Sequence, residues 1–248
     1  MDKLIEKLKE FNESINGESK INDIQKKFEE LAPIFLYGGY INVRDDYKVF
    51  IRTVEFYFHS ERDNGVHDPI VYHRNGRDLE QAPYFPFMSI HAHNSGYDIT
   101  FEKSGEYRAS ALIRAYEIMD MHDNKYLKWD AKKCMFVKSD ASKDCFNTQS
   151  TYLKAVLNGF AFGNTNDIKW DPSPLSVWKS INLPLPRKNV PLYRKKGNNY
   201  EKVTKEYYET HKEEFKKLIT NPRFFKYSGI DYLQDPKPWQ FNRDGLTE

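Results

Sequence analysis

The chain has 248 residues, enough to bury a substantial core in one large domain or two small ones. Aromatic residues reach 15% and charged residues 30%, with a mean hydropathy of −0.79, which excludes a membrane-embedded protein and argues against disorder. The formal net charge of +2 excludes neither nucleic acid nor any other partner, but residues 187–227 hold twelve Lys/Arg against five Glu, a local excess of +7. Such a segment permits a polyanionic partner, and it equally suits a solvated helical face.

In chain order, the first thirty residues read as two amphipathic helices broken at Asn16-Gly17. Leu4, Ile5, Leu8 and Phe11 share one face, and Ile21, Ile24, Phe28 and Leu31 share another. The opening segment is charged and lacks an apolar core, so it does not read as a signal peptide. After Gly38-Gly39, residues 40–43 and 47–58 carry strand signals, and Arg44-Asp45-Asp46 is a hairpin turn between them. Residues 59–83 are polar and loop-like. Phe85 to His93 and Tyr97 to Phe101 flank Asn94-Ser95-Gly96 as strand, turn and strand, and Ala109 to Ile118 is a further apolar run. Thr148 to Phe160 reads as a helix, residues 171–193 as a Pro-rich surface stretch, and Tyr200 to Ile219 as a charged helix. No internal repeat or low-complexity linker divides the chain. The expectation is α+β: a single mixed domain, residues 1–248, with a curved antiparallel β-sheet flanked by helices, on which residues 1–30 pack.

Two cysteines, Cys134 and Cys145, are too few for a disulfide framework and lack zinc-ligand spacing, which points to a reducing compartment. No phosphate-binding loop, nucleophile elbow or zinc-protease motif is present. His91 and His93 fall on one face of a strand and could form a metal half-site with His67, Asp68 or His73. Two histidines at this spacing are a weak pattern, and two polar residues near a hairpin tip are the commoner case. The expectation is no metal.

Glu55 stands out inside Val54-Glu55-Phe56-Tyr57-Phe58. Alternation puts Glu55, Tyr57 and His59 on one face and the apolar residues on the other. A carboxylate buried in an apolar strand costs free energy unless paired, and such groups are often tuned for proton transfer. A solvent-facing Glu, or a purely structural ion pair with Arg114, are the alternatives.

The order of these segments resembles the alkyladenine (3-methyladenine) DNA glycosylase family. The likeness runs roughly from Leu31 to Gly245, in short pieces. Leu31 to Leu36 resembles the family's opening segment. Thr53-Val54-Glu55-Phe56-Tyr57 resembles its Glu-x-Tyr signature, with His67 ten residues after Tyr57. The hairpin Phe87 to Thr100 is similar to its minor-groove hairpin. Ala111-Leu112-Ile113-Arg114-Ala115-Tyr116-Glu117 is similar to its Leu-Arg-Ala-x-Glu segment. Gln149 to Phe160 resembles one of its helices, and Pro238-Trp239-Gln240-Phe241 its C-terminal Trp-Arg-Phe segment.

The resemblance implies a monofunctional DNA N-glycosylase: a hydrolase of base-excision repair that binds duplex DNA, flips out a damaged or modified base, and uses no metal or organic cofactor. It implies Glu55 as the base that activates water, Tyr57 and His67 as rings sandwiching the extruded base, and Asp98 at the pocket floor in place of the family's Asn. Arg114 would lie near the catalytic water and the DNA backbone, with His91 or His93 at the wedge. The partner would be double-stranded DNA with a modified base, the protein a monomer without membrane association, and the location cytoplasmic, nucleoid-associated or otherwise reducing. The altered hairpin tip and Asp98 keep a second reading open, a catalytically inactive nucleic-acid-binding homologue on the same fold.

Overall fold

The structure is a computed structural model that describes residues 3–68, 83–93, 96–130, 132–133, 135–139, 168–173, 184–185, 187, 192–197, 199–218, 224–233 and 237–243. The expected helix over Thr148 to Phe160, both cysteines and His73 lie outside the described residues. The chain is mixed α+β, with three helices and a curled antiparallel sheet among the described residues.

Helix α1 (Lys3–Ser14) and helix α2 (Ile21–Tyr37) follow from their apolar stripes. Leu4, Leu8 and Phe11 of α1 and Ile24, Phe28 and Leu31 of α2 are buried. The break falls at Asn16-Gly17, as the sequence indicates. Gly17 is needed there because the turn presses on Arg62 and Glu106, where a Cβ would collide. Helix α2 runs on through Pro33, so the segment Leu31 to Leu36 is its last two turns and buries Ala32, Phe35 and Leu36.

The main sheet orders its strands β3-β4-β5-β2-β1-β8, with β13 also on β2 and β6-β7 extending from β5. Here β1 is Tyr40–Val43, β2 Tyr47–Ser60, β3 Ile90–His93, β4 Gly96–Thr100, β5 Tyr107–Asp120, β6 Tyr126–Asp130, β7 Met135–Ser139, β8 Ile168–Asp171 and β13 Gln240–Asn242. The turn Arg44-Asp45-Asp46 joins β1 to β2, with Arg44 and Asp45 left-handed (φ 57° and 56°) and Asn42 accepting from the Asp45 N–H at 2.9 Å. The strand expected from Phe85 begins only at Ile90. Pro86 has no N–H to donate, and Met88 takes φ 62°, so residues 86–89 form a turn before the ladder starts.

Strands β2 and β5 form the spine of the sheet, paired from Tyr47↔Asp120 to Ser60↔Tyr107. Two irregularities interrupt them, and Arg52 and Arg114 have no opposite residue in that register. On one face Phe56 and Phe58 meet the helices. Phe11 stacks on Phe28 (5.6 Å) and Phe28 on Phe56 (4.5 Å), while Trp239 sits edge-on to Phe28 (5.0 Å). These rings bring large apolar area and contribute about 0.5–1.5 kcal/mol per pair beyond it.

A second sheet orders its strands β10-β9-β12-β11: β9 is Tyr193–Lys196, β10 Asn199–Lys202, β11 Phe224–Tyr227 and β12 Ile230–Leu233. Three of its four strands lie within the basic segment, and it has its own small apolar cluster of Leu192 and Val203, against which Tyr207, Tyr208 and Ile230 pack. The helix expected from Tyr200 is therefore corrected: residues 199–202 pair with β9, and helix α3 (Lys205–Leu218) starts later. Thr204 sets that start, its hydroxyl accepting from the Tyr207 N–H at 3.2 Å. No helix among the described residues is long and apolar enough to cross a membrane.

Candidate functional site

The second face of the main sheet is polar and nevertheless buried. Register puts His91, Asp98, Leu112, Glu55 and Gln240 in one line across β3, β4, β5, β2 and β13. Directly opposed residues share a face, so these five side chains stand on the same side of the sheet. The next line holds Thr100, Ser110 and Tyr57, and the one beyond it Arg108 and His59. Glu55 is 0% exposed and Asp98 2%. Glu55 is thus no solvent-facing carboxylate.

One oxygen of Glu55 is held twice. The Tyr57 hydroxyl donates to Oε2 at 2.8 Å, and Arg114 Nε lies 3.3 Å from the same atom. Arg114 reaches it from the strand irregularity, where a bulged residue is re-aimed relative to its neighbours. The other oxygen, Oε1, is buried without a hydrogen-bond partner among the described residues. An unsatisfied buried acceptor costs about 1–3 kcal/mol, more for a charged group, so this oxygen is primed to accept an O–H. The Tyr57 hydroxyl is pushed well above its ordinary pKa of 10.0, first by burial and then by the Glu55 charge, against the pull of Arg187 and Arg114. It therefore stays protonated and donates throughout the neutral range.

Tyr57 is also covered from one side. The Arg187 guanidinium lies over its ring, 4.6 Å from the centroid, and 5.3 Å from that of Trp239. Arg187 is buried and pairs with Asp68 through both terminal nitrogens, at 2.8 and 3.1 Å, while Nη1 also lies 3.4 Å from the Phe56 carbonyl. Burial alone would weaken the Arg187 charge; the Asp68 carboxylate more than offsets this and raises the pKa above its usual value. Asp68 is anchored in turn, its N–H donating to His59 Nδ1 at 2.9 Å. The Asp68 carboxylate therefore serves an ion pair and is not a free metal ligand.

The remaining sequence candidates are spread around this centre. His67 packs edge-on against His59 with ring centroids 5.1 Å apart, one position further along the face than Tyr57, and its Nε2 is 3.1 Å from the Asp63 carbonyl. His91 lies against Phe85 with centroids 4.1 Å apart. His93 closes the β3–β4 pairing opposite Gly96; its side chain, and residues 94–95, lie outside the described part. Among the described residues, no group of three or more His, Cys, Asp or Glu is placed to hold a metal ion.

No family model, no curated protein and no solved structure matches the chain. The site therefore rests on its own geometry. Sequence reasoning missed Arg187, Asp68 as its counter-ion, and Gln240 beside Glu55. The excess of basic residues from 187 onward was visible, but nothing local marked Arg187 as buried, because its partner lies 119 residues away in the chain.

Proposed function

We propose that the chain is a DNA N-glycosylase that hydrolyses the bond between a modified base and its deoxyribose, with Glu55 as the general base. The observation that carries this reading is Glu55 itself: a buried carboxylate with Oε2 fixed by Tyr57 and Arg114, and Oε1 left without a partner among the described residues. Glu55 Oε1 takes a proton from water as its oxygen bonds to C1′. The C1′–N bond breaks with its electron pair on the base, and the proton taken by Glu55 ends on the departing base, so that one water is consumed and the carboxylate is restored. Arg114 Nε, 3.3 Å from Oε2, holds the carboxylate from the neighbouring strand.

The other assignments follow the resemblance. Tyr57 offers a ring face for the extruded base, with Arg187 behind it; His67 lies nearby at the exit of β2, and Asp98 stands two strands across from Glu55 as the pocket floor. Arg114 is partly exposed and can face a phosphate as well as Glu55. His91 and His93 belong to the hairpin that would enter the duplex. The substrate is double-stranded DNA with a modified base, handled by a monomer in a reducing compartment without a cofactor. Incubation with duplexes carrying single alkylated or deaminated bases, followed by quantification of released base, tests this. Wild-type release that disappears in Glu55→Gln supports the reading; release that survives the substitution removes Glu55 from the role.

The Glu55–Arg114 ion pair also favours a second reading, a catalytically silent nucleic-acid-binding protein in which Glu55 is structural. It predicts salt-sensitive duplex binding with no alkali-labile abasic positions. Absence of binding even at low salt counts against both readings.

A further inference from the structure

The Asp68–Arg187 pair sits where the function proposed above does not require it. Two charges are taken out of water, with Arg187 2% and Asp68 2% exposed, in a loop segment and a Pro-rich strap far apart in the chain. Burying such a pair is rarely a gain in stability over apolar packing. What it does here is geometric. The strap is tied to β13 by the Leu185 and Gln240 backbones (2.9 and 3.1 Å) and by the Arg187 N–H to the Lys237 carbonyl (3.1 Å), and β13 itself pairs with Glu55 through Gln240. Asp68 then fixes both terminal nitrogens of Arg187, which sets the plane of the guanidinium against Tyr57.

We propose that Arg187, held by Asp68, is a positioning residue for Glu55 that acts through Tyr57. The guanidinium clamps the phenol ring, the ring aims its hydroxyl at Glu55 Oε2, and this turns Oε1 towards the reacting water. The groups against the pair are the Tyr57 and Trp239 rings, the Phe56 carbonyl, and His59, whose Nδ1 accepts from the Asp68 N–H; Glu55 and Arg114 lie one contact further, through the Tyr57 hydroxyl. Arg187 touches neither water nor substrate in this arrangement. The proposal rests on the reading of Glu55 as a base for its catalytic consequence, but the clamp itself is a physical claim that holds or fails without any activity.

The test reads the Tyr57 hydroxyl directly. Protein labelled with 13Cζ-tyrosine is examined by NMR in mixed H2O/D2O, where a hydroxyl that exchanges slowly gives two lines, and Tyr57→Phe assigns the signal. In the wild type, two lines are expected for Tyr57; a single averaged line overturns the clamp without recourse to any variant. Arg187→Lys keeps the charge but loses the planar fork, and Arg187→Gln combined with Asp68→Asn removes both charges so that neither is stranded. Each is expected to speed exchange at least tenfold in a folded protein. Slow exchange retained in both overturns the proposal, and if the double variant does not fold, Arg187→Lys decides alone.

On a releasable base, Arg187→Lys is expected to lower kcat about tenfold with KM nearly unchanged; a rise in KM alone overturns the positioning role. Wild-type protein with a clamped Tyr57 but no base release defeats the glycosylase reading and leaves the clamp standing.

Discussion

The two faces of β2 are buried to a similar depth by different means. On the helix side, Val54, Phe56 and Phe58 are each 0% exposed and pack among rings and aliphatic chains whose contacts are many and individually weak. On the other side, Glu55 is also 0% exposed, but it depends on two named partners, Tyr57 and Arg114. The same arrangement recurs along that face. Arg108 meets Glu102 and Glu61 at 3.1 Å each, and Glu117 lies 3.3 Å from Arg243. An apolar face tolerates exchange of one filling for another of equal volume. A charged face does not, because removing one partner strands the other. Specific chemistry therefore belongs to the second face, and folding strength to the first.

Substitutions can separate these roles. The largest effect expected is from Phe56→Ala, which opens a cavity under Phe28 and Phe35 and should cost about 3–5 kcal/mol in a urea titration. Glu55→Gln should lower base release by about 10²–10⁴-fold, while its drop in urea midpoint stays well short of the Phe56→Ala loss because the stranded Arg114 is partly exposed; a loss of stability as large as that of Phe56→Ala would make Glu55 part of the scaffold and erase the contrast between faces. Next comes Tyr57→Phe. It removes a hydrogen bond to a charged group, worth about 1.5–3 kcal/mol, so single-turnover release should slow about ten- to a hundredfold.

The smallest effect lies at the rim. Glu106 joins Arg62 (2.9 Å) and the Gly17 N–H (2.9 Å). Its pKa is lowered from 4.5, first by the Arg62 hydrogen bond and then by the Gly17 N–H. A depressed carboxylate stabilises the fold above its unfolded value, and that contribution is lost as the pH falls through the folded one. The urea midpoint of Glu106→Gln should therefore sit slightly below wild type at pH 7 and converge with it on acidification below 4.5, and added salt should shrink the gap because Arg62 is exposed and Glu106 only half-buried.

The amino-acid sequence made the faces of β2 legible, because alternation over residues 54–59 is strict and one charged residue interrupts an apolar set. The Arg44-Asp45-Asp46 turn and the Asn16-Gly17 break were equally local and equally visible. The Arg187 clamp was not, since a long-range ion pair leaves no periodic trace. The strands of the second sheet were hidden for another reason: four-residue strands rich in Lys and Arg, such as β9, carry too little alternation to be told from the charged helix that follows. Thr204 was the available stop signal, a capping residue ahead of Lys205.

One consequence follows from the paired irregularities in the spine. The inward residues of β2 are odd-numbered at Val49 and Ile51 and even-numbered at Val54, Phe56 and Phe58; those of β5 are odd at Ala109, Ala111 and Ile113 and even at Tyr116 and Ile118. Both strands change parity at the same level, each through one inserted residue, Arg52 in β2 and Arg114 in β5. Deleting either would put its own strand back on one strict alternation with its apolar residues still inward, and would leave the other strand's extra residue unmatched. Deleting Arg114 would also take away the cation that meets Glu55.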